Sequence, residues 1–121
     1  MDGATVLILT RDILGAGLIG ALVDGLGQVP CFPLEAERGD MAVRRLRPSV
    51  VILECFHAAA RTESFFTAMQ EHRVRLVLFA PSAPWEEFAE LAERRGAAAF
   101  VFPQPGRSVA DGLRDALTRI G

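Results

Sequence analysis

Polar residues that could bind an ion or move a proton stand directly after two apolar runs of the sequence. Thr10, Arg11 and Asp12 follow the first run, and Glu54 follows the third. A carboxylate can ligate a cation or accept a proton, and an arginine beside it can form an ion pair in place of the cation. Because all thirteen basic residues are arginine, the chain has no lysine for a Schiff base or a general base.

The histidines and cysteines do not form a recognisable catalytic or metal-binding pattern. His57 and His72 have no acidic or cysteine partner at ligand spacing, and Cys55-x-His57 is too short a motif to define a metal site. Cys31 and Cys55 lie in apolar runs without C-x-x-C spacing, so we expect buried free thiols. With no set of nucleophile, base and orienting group, we expect neither an enzyme nor a bound cofactor.

Gly15, Gly17 and Gly20 match the pattern G-x-G-x-x-G. In a dinucleotide-binding fold such glycines would hold a pyrophosphate at a helix start. Here they begin several residues after the apolar run, and the nearest acids after a second strand are Glu35 and Glu37. We therefore expect the glycines to lie inside a helix, where they allow close packing.

The elements that must position these residues alternate between short apolar runs and segments with helical periodicity. Runs without polar alternation are typical of parallel strands that helices cover on both faces. Pro30 and Pro33 would break the hydrogen-bond ladder of a central strand, so the second strand is expected at an edge. Right-handed crossovers then predict a flavodoxin-like (βα)5 fold, a doubly wound α/β sandwich in one domain, residues 1–121, with a five-stranded parallel sheet of order 2-1-3-4-5. The predicted strands are Thr5–Leu9, Val29–Leu34, Val50–Leu53, Leu76–Phe79 and Ala98–Phe102.

Two of the predicted helices carry distinct apolar patterns. The first has leucines at i+4 spacing, from Leu14 through Leu18 and Leu22 to Leu26, but four glycines between them lower its intrinsic helix propensity. The second, predicted from about Glu35 to Leu46, has only a thin apolar stripe.

In such sheets a ligand binds beyond the carboxyl ends of the strands, where the strand order reverses. The predicted cleft therefore lies between the first and third strands. The residues that the topology delivers there are Thr10, Arg11, Asp12, Glu54, Cys55, Phe56, Phe79, Ala80, Pro103, Gln104 and Pro105.

Three stretches of the chain resemble the receiver domain of response regulators: residues Val6–Leu9, Pro48–Glu54 and Gly96–Val101. The resemblance implies a bacterial two-component signalling module. The family's phosphotransfer needs an acidic pair after the first strand, an acceptor aspartate after the third, a hydroxyl after the fourth and a lysine after the fifth, with Mg²⁺ held by the carboxylates.

Every one of those positions departs from the family pattern. The acidic pair falls on Thr10 and Arg11, the acceptor on Glu54, the hydroxyl on Phe79, and the lysine on Pro103 or Gln104. Asp12 could offer a carboxylate, but Arg11 opposes a cation there. The resemblance therefore implies a degenerate receiver that is not phosphorylated and holds no metal.

Two hypotheses follow for the remaining side chains of this cleft. Arg11 and Glu54 could form an ion pair that fixes one state of the domain, with Glu54 imitating a phospho-aspartate; the alternative is a solvated carboxylate. Phe79 and Phe100 stand where receivers couple a hydroxyl to an aromatic switch, and we expect both rings to pack in the core.

The resemblance also implies an interaction surface. Receivers commonly bind partners or dimerise through the fourth helix, fifth strand and fifth helix, so we expect contacts with a protein partner, a second copy, or an output domain outside this sequence. A plain solvated surface is the alternative. The candidate interface residues are Trp85, Arg94, Arg95, Phe100, Arg107 and Arg114.

Composition narrows the remaining function classes. Of the 121 residues, 50% are hydrophobic and 23% are charged, with a formal net charge of −2. That balance predicts a folded chain without the basic face typical of nucleic-acid or anionic-membrane binding. Without a recognisable signal peptide or a bilayer-length apolar run, we expect a cytoplasmic protein. The competing interpretation is a flavodoxin-like domain that binds a small ligand or nucleotide in the same cleft.

Overall fold

Five parallel strands form one sheet of order β2-β1-β3-β4-β5 in a computed structural model that describes residues 4–80, 85–101 and 109–120. The predicted fold class and strand order are confirmed. The elements in chain order are β1 Thr5–Leu9, α1 Ile13–Gly25, β2 Val29–Cys31, α2 Gly39–Leu46, β3 Val50–Glu54, a 3₁₀ turn Ala58–Arg61, α3 Glu63–Glu71, β4 Arg75–Ala80, α4 Trp85–Arg94, β5 Ala98–Val101 and α5 Val109–Ile120.

Two apolar layers enclose the sheet because successive strand side chains point to opposite faces. Leu7 and Leu53 face a cluster with Phe65 of α3, while Ile8 and Ile52 face the layer that contains α1 and α5. These strand residues are all essentially inaccessible to water. Burial on both faces explains why the strands read as unbroken apolar runs.

The second strand is short and lies at the edge, as its prolines predict. It pairs with β1 through Val29, Pro30 and Cys31 only, whereas the sequence predicts a strand that continues to Leu34. The second helix begins at Gly39 rather than near Glu35. A turn precedes it in which Ala36 has a left-handed φ of 61°, and such a residue cannot continue a right-handed helix.

The leucines at i+4 spacing do not all lie on the buried face of α1, since only Leu22 and Leu26 pack against the sheet layer. Leu14 and Leu18 are 83% and 44% exposed, whereas Ile19 and Val23 are fully buried against the sheet. A helix turns about 100° per residue, so each i+4 step overshoots one turn by about 40° and the stripe winds around the helix. Among the described residues, no helix is both long and apolar enough to span a bilayer.

Candidate functional site

Residues from two neighbouring central strands meet at the carboxyl end of the sheet. β1 and β3 pair in register from Val6 opposite Val50 to Leu9 opposite Leu53. The next residues along the two strands are Thr10 and Glu54, so the topology brings these side chains together. The strand reversal places the cleft here, as the sequence predicts.

Both carboxylate oxygens of Glu54 accept hydrogen bonds from the segment that follows β1. Thr10 Oγ1 donates to Oε1 at 2.7 Å, and the Arg11 backbone N–H donates to the same oxygen at 3.1 Å. Arg11 Nε donates to Oε2 at 2.6 Å. Glu54 is only 2% exposed, so three donors compensate a charge that has lost most of its hydration.

The pKa of Glu54 reflects two opposing effects, the burial of its carboxyl group and the hydrogen bonds that the carboxylate accepts. Burial alone would raise the pKa of Glu54, but the hydrogen bonds from Thr10 and from the backbone and side chain of Arg11 outweigh it. The net effect holds the pKa below its ordinary value. Glu54 is therefore an anion at neutral pH, paired with a guanidinium.

Arg11 reaches this carboxylate from the solvent side. Its side chain is 59% exposed, and its guanidinium carbon lies 5.3 Å from the centroid of the Phe56 ring. Arg11 thus contacts two residues at the end of β3, one through charge and one through a cation–π contact. The ion pair expected between Arg11 and Glu54 is present.

Asp12 does not join the cleft as a cation ligand. Its carboxylate caps α1 by accepting a hydrogen bond from the Leu14 N–H at 3.1 Å, while its own N–H donates to Thr10 Oγ1 at 3.3 Å. Helix caps of this type satisfy a backbone donor that has no partner inside the helix. Asp12 therefore serves the start of α1.

These residues do not fit a magnesium ion of the receiver type. Mg²⁺ needs oxygen ligands with free lone pairs and usually one or two carboxylates. Here Glu54 is the carboxylate in place, both of its oxygens already have donors, and Arg11 brings a positive charge within 2.6 Å. Within residues 4–80, 85–101 and 109–120, no group of three His, Cys, Asp or Glu side chains is placed to hold a metal.

Comparison with solved structures identifies the architecture. The orphan response regulator HP1043 of H. pylori matches at a TM-score of 0.73 with 17% identity, covering 100% of both chains. A LuxR-family two-component response regulator from Aurantimonas sp. SI85-9A1 matches at 0.74 with 15% identity, covering 98% of this chain and 85% of that one. The receiver domain of a modulated diguanylate cyclase from Desulfovibrio desulfuricans G20 matches at 0.71 with 16% identity, covering 98% and 93%.

The chain has the fold of a response-regulator receiver domain. No protein-family model matches the sequence, and no curated relative matches it. The likeness to receivers is therefore one of fold, with sequence identity too low to carry over the residues of the site.

Within this receiver fold, Phe79 lies beside Glu54. The two residues are register partners on β4 and β3, and Phe79 is 3% exposed in the layer that contains α1 and α5. A buried ring offers no hydroxyl to a phosphoryl group, so its packing role is as expected. Phe100 is the register partner of Phe79 on β5, and its side chain lies outside the description. Pro103, Gln104 and Pro105 lie outside the described residues.

The surroundings of His57 and Cys55 fit structural roles and not catalytic ones. His57 Nδ1 accepts a hydrogen bond from the Ala59 N–H at 3.0 Å and so caps the 3₁₀ turn. Burial lowers the pKa of His57 and outweighs the opposing charge of Glu54, which favours the neutral ring that this cap requires. Burial also raises the pKa of Cys55, so the thiol is not an activated nucleophile. Both Cys31 and Cys55 are free but only half-buried.

The glycines of the G-x-G-x-x-G match lie inside α1, as expected from their distance to β1. Gly15, Gly17 and Gly20 all fall between Ile13 and Gly25. A Cβ on Gly20 would come within 2.8 Å of the Phe32 ring, so this glycine allows close packing. Glu37, one of the two acids near the second strand, binds Arg45 through both oxygens.

The candidate interface residues fall in three groups. Arg95 is engaged inside the molecule: it pairs with Glu63 at 2.9 Å and its guanidinium carbon lies 3.7 Å from the centroid of the Phe66 ring. Its part in an interface stays a prediction. Arg94 and Arg114 are exposed on α4 and α5, and Arg114 contacts Asp111 at 3.3 Å. Arg107 and the side chains of Trp85 and Phe100 lie outside the description.

Sequence reasoning missed the role of Thr10. Its hydroxyl donates to Glu54 and accepts from Asp12, which links the charged pair to the cap of α1. A hydroxyl directly after a strand, opposite a carboxylate on the neighbouring strand, is the pattern that could have revealed it.

Proposed function

We propose that this chain is a non-catalytic signalling module of receiver fold that works without phosphorylation and acts through protein contacts. The observation that carries the proposal is the closed hydrogen-bond set of Glu54. Each oxygen at the acceptor position already has a donor, and the nearest cation is the side chain of Arg11.

Transfer of a phosphoryl group to Glu54 would require this hydrogen-bond arrangement to break. The attacking oxygen would have to leave Thr10 or Arg11, and a carboxylate that is 2% exposed would have to reach the donor. The negative charge that spreads over the phosphoryl oxygens normally needs a metal ion and a lysine. Arg11 is the positive charge in contact with this carboxylate, and Glu54 neutralises it.

The pair also supports a fixed conformational state. A negative charge at the acceptor position is permanent in Glu54, and its low pKa keeps that charge at neutral pH. Partner binding or dimerisation should therefore respond to Glu54→Gln but not to a phosphodonor.

An apolar surface at the start of α1 supports the protein-contact part of the proposal. Ile13 and Leu14 are 87% and 83% exposed, and Leu18 is 44% exposed. Adjacent exposed apolar side chains are typical of contact surfaces. Sedimentation of the wild type, of Leu14→Glu and of the matched surface variant Met41→Glu should show self-association that only the α1 variant loses.

Intact-mass measurement after incubation with acetyl phosphate and Mg²⁺ tests the proposal directly. We expect no phospho-adduct on the wild type under conditions that modify an active receiver treated in parallel. An adduct that disappears in Glu54→Gln would contradict phosphorylation independence.

Binding of a small ligand in this cleft has less support. The cleft is about 400 Å³ in volume and is bordered by Thr10, Arg11, Asp12, Glu54 and Phe79. Its polar groups bond to one another or to the cap of α1, so none of these hydrogen bonds is directed at a ligand.

A further inference from the structure

A second and larger cleft lies at the opposite, amino-terminal end of the sheet. It occupies about 520 Å³ where α3 and α4 end and β4 begins. Four arginines line it, Arg73, Arg75, Arg94 and Arg95, above apolar side chains that include Phe66 and Leu76. Among the described residues its lining includes no carboxylate, although the whole chain has a net charge of −2.

Two of the arginines that line the cleft have no ion-pair partner among the described residues. Arg73 and Arg94 form no ion pair with any residue in the described part of the chain, and Arg95 pairs with Glu63. The ends of α3 and α4 each contribute about half a negative charge through the helix dipole. Glu90 and Glu93 border a neighbouring pocket together with Arg94, but they do not line this cleft.

Arg95 has a buried donor without an acceptor. Its Nη2 donates to Glu63 and its guanidinium stacks on Phe66, yet its Nε has no hydrogen-bond partner among the described residues. Buried donors are nearly always paired, so an unpaired one calls for an acceptor that the described residues do not supply. This atom adds to the evidence that the cleft is incomplete without an anion.

Arg73 stands at a position where glycine is the usual residue. The N–H groups of Arg73 and Val74 donate to the carbonyls of Gln70 and Met69, which closes α3 in the Schellman motif. Arg73 therefore takes a φ of 54°, while the corresponding residues after α1 and α4 are Gly27 and Gly96. Arg47 has a similar φ of 46° at the end of α2, so the conformation places the Arg73 side chain beside the cleft without itself indicating a function.

We propose that this arginine cleft binds a small phosphorylated molecule. Arginine presents several N–H donors in a planar fork that matches phosphate oxygens. The apolar floor would contact the organic part of the ligand, and the volume lies within the range of small-molecule sites. The site is separate from the Glu54 cleft and does not depend on the function proposed for it.

Calorimetric titration of the full chain with ATP, pyrophosphate and adenosine, without Mg²⁺, tests this assignment. Arg73→Gln/Arg94→Gln removes the two unpaired guanidiniums and keeps their length. Arg61→Gln/Arg114→Gln is the charge-matched control, since neither residue lines the cleft. Circular dichroism confirms that each variant is folded.

We expect ATP to bind more tightly than pyrophosphate, and adenosine not to bind. The cleft variant should bind ATP about tenfold more weakly or worse, because each lost charge-assisted hydrogen bond is worth about one factor of ten. The control should stay within about twofold of the wild type.

Four results would overturn the proposal. These are no binding of ATP at millimolar concentration, wild-type affinity in the cleft variant, an equal loss in the control, and adenosine binding as tightly as ATP. Pyrophosphate binding as tightly as ATP would refute the contact between the apolar floor and the ligand's organic part.

Discussion

Replacement of Glu54 by glutamine isolates the electrostatic role of the carboxylate. The two side chains have nearly the same shape, and the glutamine carbonyl can still accept from Thr10 Oγ1 and the Arg11 N–H. The amide nitrogen would face Arg11 Nε, now 2.6 Å from Oε2, with a donor instead of an acceptor. One charge-assisted hydrogen bond is therefore lost and a donor–donor contact takes its place.

The loss should be about 1.5–3 kcal/mol of unfolding free energy at pH 7, the usual contribution of a hydrogen bond to a charged group. The matched control is Glu71→Gln, which removes a carboxylate that binds Arg44 at 2.8 Å on the exposed surface. That surface pair should contribute about 0–1 kcal/mol. The difference between the two variants measures the effect of burial.

Urea unfolding followed by circular dichroism, at pH 7 and at a series of lower pH values, provides the measurement. Because the native pKa of Glu54 lies below its unfolded value of about 4.3, the carboxylate stabilises the fold above that pH. The stabilisation is lost as the pH falls through the native pKa. The difference in unfolding free energy between wild type and Glu54→Gln should therefore become smaller on acidification below about pH 4, since other groups titrate alike in both proteins.

Equal stability of the two proteins at pH 7 would refute the assignment of Glu54 as a buried, paired anion. A gap that stays constant down to pH 3 would refute the lowered pKa.

Five further substitutions, at four positions, test local features by urea unfolding. Asp12→Ala should lower the free energy of unfolding by about 1 kcal/mol because it removes the cap of α1, whereas Asp12→Asn should retain the cap. Equal losses in the two variants would rule out the cap. Gly39→Ala should lower the free energy of unfolding by about 1–3 kcal/mol, because its Cβ would lie 2.9 Å from that of Ala59. Gly17→Ala has open space around the new Cβ and should raise the free energy of unfolding by about 0.5–1 kcal/mol. The reverse order would contradict the packing. Arg73→Gly should gain about 0.5–1 kcal/mol by relieving the left-handed conformation, and a loss would argue against strain there.

The sheet could be predicted from the sequence because burial on both faces leaves a clear pattern. The run Val50–Leu53 carries no polar residue, and the observed β3 is longer by Glu54 alone. Pro30 predicts an edge strand because it lacks a ladder donor, and β2 is at the edge. These patterns depend on local residue type, which the sequence displays directly.

The helices and connections were harder to predict because their geometry depends on packing and backbone angles. The contact face of α1 is centred on Ile19 and Val23, but leucines at i+4 spacing form a more conspicuous pattern. Likewise, Ala36 gives no sequence indication of its left-handed conformation. The sequence therefore predicts a helix that begins four residues too early.

The candidate site was predictable where it depends on topology. Adjacent parallel strands must bring Arg11 and Glu54 to one end of the sheet, so their pairing could be expected from the strand order. The direction of the Asp12 side chain could not be predicted, because it depends on the turn that leads into α1. The arginine cleft had a sequence pattern, since Arg73 and Arg75 precede one strand and Arg94 and Arg95 precede the next.

The two clefts should behave as independent sites. They lie at opposite ends of β4, which spans Arg75–Ala80 and is therefore about 15–20 Å long. Effects of substitutions this far apart, without a shared partner, usually add. Glu54→Gln should accordingly leave ATP affinity at the arginine cleft unchanged, and Arg73→Gln/Arg94→Gln should leave the acid dependence of Glu54 unchanged. A change in either would mean that the sheet couples its two ends, so that a ligand at the amino end could shift the state that the Arg11–Glu54 pair holds.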